Sequence, residues 1–235
     1  MISSHSAIEL VIFDLTGTTV WDADGAGQCL ARALKEVQVT VSDEQIRTVA
    51  GFSKPSAIRR LLSEASGTRP SEEIVQDVHD AFASEMIAHY QTNSMVAEMP
   101  GATAVLRRLK EAGIRVALDT GCSRRIVDAV LDRLGWRLAG LLDATVASDE
   151  VSRGRPEPDL VLEAMRRTGV SDVKATAKVG DTPADLLQGM AAGCGWVVGV
   201  TNGSHTRAQL ALHPHTHLIA SLGELPGLLG LKPLD

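Results

Sequence analysis

Apolar residues gather into five short runs, at 8–13 (IELVIF), 114–119 (IRVALD), 141–147 (LLDATVA), 176–180 (TAKVG) and 196–200 (WVVGV). Near-continuous runs of this length, bounded by turn residues, fit strands buried on both faces. Stretches with apolar positions three and four residues apart lie at 102–112, 124–135, 157–169 and 184–192. The alternation predicts an α/β fold, a doubly wound parallel sheet with helices on both faces. About 100 residues separate the first two runs and break the rhythm. They hold helical patterns near 26–37, 42–49, 55–65 and 71–91 and little that reads as strand. The expected organisation is an α/β core made of 1–19 and 98–235 with an inserted helical cap at 20–97. Hinges fall near 16–22 and at Glu98-Met99-Pro100-Gly101. A cap over a strand-end site would act as a lid that excludes water.

Composition narrows the function classes. Apolar residues make up 44% and charged residues 22%, as in ordinary globular proteins. Aromatics are only 3%, too few for stacking platforms, and the net charge of −6 argues against nucleic acid as a partner. Cys29, Cys122 and Cys194 form neither a paired framework nor a CxxC motif, which suits a reducing compartment. No run approaches the roughly 20 apolar residues of a membrane span, and the first residues lack a basic leader segment. A cytoplasmic protein that does not engage membranes is expected.

The candidate chemistry sits where strands end. The first run delivers Asp14 into a Gly17-Thr18-Thr19 turn, and open α/β sheets bind ligands at such carboxyl ends. A buried carboxylate there needs a cation or hydrogen bonds; alone, Asp14 could equally cap the next helix. The second run ends in LDTGCSRR, placing Thr120 and the amides after Gly121 at a helix start, where anions bind. Ser or Thr at such a place also serves simply as a cap. Arg155, in SRGRPEPD, could neutralise a phosphate or a carboxylate, or stay solvated. The run at 176–180 delivers Asp181, with Asp185 four positions on. Asp14 and Asp181 together could hold a hard divalent cation such as Mg²⁺. Asp185 would support them from behind, or only favour the helix's first turn.

This order of motifs, Asp14–Thr18, Thr120, Arg155 and Gly180–Asp185, resembles the haloacid dehalogenase superfamily over essentially the whole chain. The resemblance implies a hydrolase with a doubly wound core, an inserted cap and an aspartyl-phosphate intermediate. Asp14 would be the nucleophile, and Mg²⁺ would bridge Asp14, the carbonyl of Thr16 and Asp181. Thr16, Gly17, Thr18, Thr120, Gly121 and Arg155 would surround the transferring group.

Phosphatases of that superfamily carry a second Asp at position 16, as general acid. Thr16 cannot serve near neutral pH, so either the leaving group needs little protonation or hydrolysis is slow. An enamine leaving group would satisfy the first condition, and it needs an amine. The segment AGFSKPSAIRRLL (50–62), with Gly51 ahead of Lys54, resembles the Schiff-base loop of the phosphonoacetaldehyde hydrolases. TTV at 18–20, DTGCSR at 119–124, GRPEPD at 154–159, GDTPAD at 180–185 and the tail from Val197 resemble the same phosphonatase-like group. The resemblance implies a small phosphonoaldehyde as substrate and a cap-mediated homodimer. Free lysine, with pKa about 10.4, is ~10⁻³ unprotonated at neutral pH, so the reading requires Lys54 to be desolvated or set beside a cation. Ala50 and Ala57 stand where those enzymes have Met and His. A phosphomonoesterase on a small phosphate ester, a 2-haloacid dehalogenase and a phosphate-sensing binding protein are the alternatives.

Other patterns point to packing. His213, His215 and His217 alternate as a metal-chelating strand would, but no acidic or Cys partner is near in sequence. Residues 25–29 (GAGQC) lack the strand that a dinucleotide loop follows and read as the cap's entry. Residues 189–195 (GMAAGCG) read as a helix end. Cys122 has no local His to activate it, and Trp21 either lines the pocket or packs beneath the cap.

Overall fold

The computed structural model describes residues 7–234; residues 1–6 and 235, the ends of the expected core segments, lie outside the described residues. In chain order the elements are β1 (Leu10–Asp14), β2 (Val20–Trp21), α1 (Gly25–Glu36), α2 (Asp43–Thr48), α3 (Lys54–Ser66), α4 (Glu72–Thr92), β3 (Ala97–Glu98), α5 (Ala102–Glu111), β4 (Arg115–Asp119) and α6 (Arg124–Leu134). They continue with β5 (Ala144–Val146), α7 (Asp159–Thr168), β6 (Thr176–Gly180), α8 (Pro183–Ala192), β7 (Trp196–Val200), α9 (Arg207–Leu210), β8 (His217–Ile219) and α10 (Leu225–Leu228). All five apolar runs form strands of one parallel sheet, in the order β5-β4-β1-β6-β7-β8. The α/β class and the doubly wound parallel sheet are as the hydrophobic pattern predicts.

β1 is buried at every position and feeds two cores by alternation. Val11 and Phe13 pack with Val105, Leu106, Ile126 and Val130 of α5 and α6, while Leu10 and Ile12 pack with Leu160, Val161 and Leu186 of α7 and α8. Each fully buried side chain of this size contributes about 1.5–3 kcal/mol, so the central strand is rigidly held. The strand order reverses at β1: β4 and β5 lie on one side, β6, β7 and β8 on the other. Ligands of open α/β sheets bind at such a switch point.

Four helices, α1 to α4, fill the stretch between β2 and β3, each within a residue or two of the pattern read from sequence. Their buried residues, among them Leu30, Ile58, Leu61, Phe82 and Met86, join the same core as α5 and α6, and α4 packs against α6. The stretch is not wholly helical. β2 and β3 pair antiparallel, Val20 with Glu98 and Trp21 with Ala97, bringing its two ends together. β8 extends the sheet by one strand beyond the five runs, through Leu218 and Ile219. No helix among the described residues is long and apolar enough to cross a membrane.

Candidate active site

Asp14 closes β1 and is the ladder partner of Asp119, which closes β4. Parallel strands in this register set two carboxylates side by side at the sheet's carboxyl edge, where they repel unless cations lie between them. Two do. Arg155, from the loop before α7, places Nη1 2.5 Å from Asp14 Oδ1 and 3.0 Å from Asp185 Oδ1. Its Nη2 donates to the Asp119 carboxylate and, at 2.8 Å, to the Asp119 carbonyl, while Nε donates to Gln188 Oε1 at 3.2 Å. Lys178, inside β6, sets Nζ 2.5 Å from Asp119 Oδ1 and 3.0 Å from Asp185 Oδ1. Arg155 is thus the buried centre of an ion network and not a solvated arginine.

Asp185 reaches this network from the first turn of α8. Thr182 accepts from the Asp185 amide at 3.3 Å, and Asp185 Oδ2 accepts from the Thr182 amide at 3.1 Å and its hydroxyl at 2.6 Å. The same carboxylate therefore caps the helix and partners two buried cations. Asp181 faces the other way: it accepts from Thr18 Oγ1 at 2.8 Å and from the amide (2.7 Å) and hydroxyl of Ser204. The turn after β1 brings the two ends into contact through Gly17, whose φ of 88° suits glycine and where any Cβ would overlap the Asp181 carboxylate.

Burial pushes the Asp14 carboxyl up to about 7, with Arg155 and Lys178 pulling it back and Asp185 and Asp181 pushing it further. Burial and Asp185 also raise Asp181, against the Ser204 and Thr18 hydrogen bonds. For Asp185 the cations Arg155 and Lys178 outweigh burial and hold it below the usual range. Asp14, Asp119, Asp181 and Asp185 are all at least nine-tenths buried, and among the described residues their only ion-pair partners are Arg155 and Lys178. Two negative charges are left over, the amount one divalent cation neutralises. Oxygens of Asp14, Asp119 and Asp185 converge within 4.8 Å, but Arg155 and Lys178 already sit among them. Asp181 accepts only neutral donors, and Arg155 meets just one oxygen of Asp14, so a hard divalent cation fits between these two carboxylates.

A cavity of about 210 Å³ opens from this edge, lined by Asp14, Thr16, Gly17, Thr120, Gly121, Arg155 and Ser204 on the sheet side. Asp22, Leu30, Val49, Ala50, Phe52 and Lys54 line it from the stretch between β2 and β3. Thr120 Oγ1 accepts from the Cys122 amide at 3.2 Å, shaping the turn that exposes the following amides. Thr16 Oγ1 lies 3.4 Å from the hydroxyl of the buried Tyr90 in α4. Lys54 begins α3, and its amide donates to the Gly121 carbonyl at 3.0 Å, docking the loop 51–54 on the sheet edge. Among the described residues its Nζ makes no hydrogen bond or ion pair, and it lies 5.6 Å from the Phe82 ring centroid.

Every residue singled out from sequence for the site borders this edge or its cavity. Asp119, Lys178, Gln188 and Ser204 were missed. A lysine within an apolar strand run and an Asp-Thr-Gly that echoes the turn after Asp14 were the available signals. Burial pushes the Cys122 thiol up, and Cys29 to about 11 and Cys194 to about 12, so none offers a thiolate nucleophile. The histidines 213–217 do not converge: His215 Nδ1 donates to the His213 carbonyl, and His217 packs on Trp196 with ring centroids 4.8 Å apart. Residues 25–29 open α1, and Gly193 ends α8 in the left-handed conformation, as read from the sequence. Trp21 is half exposed and also borders the cavity.

Comparison with known proteins agrees with this geometry. A phosphonoacetaldehyde hydrolase from Pseudomonas fluorescens (strain SBW25) is 32% identical over 206 residues, 83% of this chain and 74% of that protein. The phosphonoacetaldehyde hydrolase of Bordetella avium (strain 197N) is also 32% identical, over 82% of this chain and 71% of its own length. The crystal structure of a phosphonoacetaldehyde hydrolase-like protein from Oleispira antarctica superposes with a TM-score of 0.84 at 23% identity, covering 96% of this chain and 92% of the other. Residues 8–193 match the haloacid dehalogenase-like hydrolase family, and with the strand-end carboxylates of β1, β4 and β6 on one edge, the chain belongs to that family of hydrolases.

Proposed function

We propose that this hydrolase cleaves the C–P bond of a small phosphonoaldehyde, with Asp14 as nucleophile and Lys54 as Schiff-base amine. The observation that carries the reading is the Lys54 amine, which borders the same cavity as Asp14 and has no hydrogen bond or ion pair among the described residues. The two relatives at 32% identity, each named phosphonoacetaldehyde hydrolase, support it.

Lys54 Nζ adds to the aldehyde carbon, and loss of water gives an iminium that can accept an electron pair. An Asp14 oxygen attacks phosphorus, the C–P bond breaks, and its electron pair moves into the iminium to form an enamine. This leaving group needs no proton at the moment of cleavage, which accounts for Thr16 in place of an acid. The Thr120 hydroxyl, the amide of Gly121, Arg155 and the turn Thr16-Gly17-Thr18 surround the transferring oxygens. Water then frees phosphate from Asp14, and hydrolysis of the enamine restores Lys54. Asp14, the Thr16 carbonyl and Asp181 would hold Mg²⁺, which supplies positive charge toward the phosphoryl oxygens; Asp185 holds Arg155 and Lys178 in place. Residues 20–97 serve as a cap on a core of 1–19 and 98–235, and the docked loop 51–54 keeps water from the site.

Borohydride trapping with phosphonoacetaldehyde, followed by mass mapping, tests the reading. A reduced adduct on Lys54, with phosphate release lost in Asp14→Ala, is expected. Phosphate release from ordinary esters at full rate by Lys54→Ala, without an adduct in the parent protein, would identify a phosphomonoesterase instead.

A further inference from the structure

Forming and hydrolysing a Schiff base requires a group that carries protons to and from the amine and the departing hydroxyl. Ala57 is buried in the core and Ala50 lines the cavity, and neither can move a proton. Of the ionisable residues on the cavity wall, Asp14 is committed to phosphorus, Arg47 and Arg155 stay charged, and the Cys122 thiol is too weak an acid. Asp24 is exposed. Asp22 is buried, 7% exposed, and fixed in place. Its Oδ2 accepts from the Ala26 amide at 2.8 Å in the first turn of α1, and its carbonyl accepts from His89 Nε2 at 2.8 Å. No hydrogen bond engages its other carboxyl oxygen among the described residues.

We propose that Asp22 is the proton carrier for Lys54. This rests on the Schiff-base reading above. The Lys54 ammonium passes a proton to the Asp22 carboxylate, and the freed amine adds to the aldehyde carbon to give a neutral carbinolamine. The carbinolamine hydroxyl then leaves as water with the Asp22 proton, which forms the iminium and restores the carboxylate. The pair carries no net charge whichever partner holds the proton, and a poorly hydrated cavity disfavours its ionised form, so the transfer is less strongly opposed there than in water. Burial raises the Asp22 carboxyl above the usual range, with Asp24 pushing it further and the Ala26 amide, His89 and Lys54 pulling it back. Tyr90, Cys29 and Cys122 also face it, and its charge pushes all three upward.

Asp22 also holds the first turn of α1, so the test must separate a proton carrier from a cap. Asp22→Ser keeps an acceptor for the Ala26 amide and has no acidic proton to give. The rate of borohydride-trapped adduct formation on Lys54 from phosphonoacetaldehyde is measured by rapid quench, in the parent protein and in Asp22→Ser and Asp22→Asn, with circular dichroism confirming the fold. Both variants are expected to form the adduct about 10²-fold more slowly. Formate should partly restore Asp22→Ser, and the alkaline fall of the parent's rate should vanish in Asp22→Asn. Adduct formation at the parent rate in folded Asp22→Ser would overturn the proposal and leave the Schiff-base reading standing. Absence of any adduct in the parent protein would overturn both.

Discussion

Replacing Gly121 by Ala tests whether catalysis depends on the docked loop. A Cβ at Gly121 would overlap the Phe52 carbonyl oxygen, lie 2.8 Å from the Phe52 carbonyl carbon and 3.2 Å from the Gly51 oxygen. Carbon atoms in favourable contact sit about 3.5–4.0 Å apart, so the loop 51–54 must retreat by about 1 Å. The retreat lengthens the hydrogen bond from the Lys54 amide to the Gly121 carbonyl, now 3.0 Å, and carries the Lys54 amine away from Asp14. A displacement of this size costs about 10²-fold in rate where two groups must meet one substrate. The backbone at Gly121 is not in the left-handed region, so the substitution strains no φ of its own, but the clash is with main chain and undocking the loop should lower the thermal midpoint as well. Phosphate release from phosphonoacetaldehyde and the Lys54 adduct should both fall. A folded Gly121→Ala protein that releases phosphate at the parent rate would refute the reasoning.

Three further outcomes are expected. The metal-free protein holds a proton on Asp14 below about pH 7; since the folded value is raised, stability falls as pH rises toward it, and Mg²⁺ must displace that proton. Magnesium should therefore raise the melting temperature more at pH 8 than at pH 6, and calorimetry in buffers of different ionisation enthalpy should show proton release only at the lower pH; equal stabilisation at both would contradict the charge count. Lys178→Met leaves Asp119 and Asp185 to share Arg155 in a fully buried site, a loss of about 3–5 kcal/mol measurable by urea unfolding; a change below about 1 kcal/mol would show that Lys178 is not a needed counter-charge. With all three thiols buried and raised, the native protein should react slowly with iodoacetamide at pH 8 and lose no phosphate release; rapid labelling accompanied by inactivation would restore Cys122 as a reactive group.

The five main strands were legible because each apolar run has one period and clear ends. The helices between β2 and β3 were legible because Ile58, Leu61 and Leu62 in α3, and Val75, Val78, Phe82 and Met86 in α4, recur at helical spacing. Two features had no such signal. The pair β2–β3 is two residues long on each side, and only one position, Val20, is fully buried. A pattern cannot emerge from one residue; long-range pairing alone makes it a strand. β8 is three residues long and only partly buried apart from Ile219, so its apolar content is too small to stand out from the HPHTH text beside it.

The site shows the same division. Asp14, Thr120, Arg155, Asp181 and Asp185 could be named because each follows a strand or opens a helix, a relation readable one segment at a time. Asp119 and Lys178 belong to relations between segments. Asp119 acquires its meaning only when β4 lies beside β1 in the register that pairs Asp14 with Asp119. Lys178 acquires its meaning only when β6 occupies the other flank of β1, since a lysine in a central strand would otherwise be among the costliest residues to bury. The cation is retained because two adjacent strand-end carboxylates and Asp185 would repel one another without it. Asp119→Asn therefore offers a sharp separation: it removes one carboxylate from Lys178 and Arg155, leaving Asp14 and Asp185 as their partners. Arg155 should then bind Asp14 more tightly, pulling the nucleophile's proton off at lower pH. Magnesium-dependent proton release would move to lower pH in Asp119→Asn, and an unchanged release profile would show that the strand-edge charges act independently.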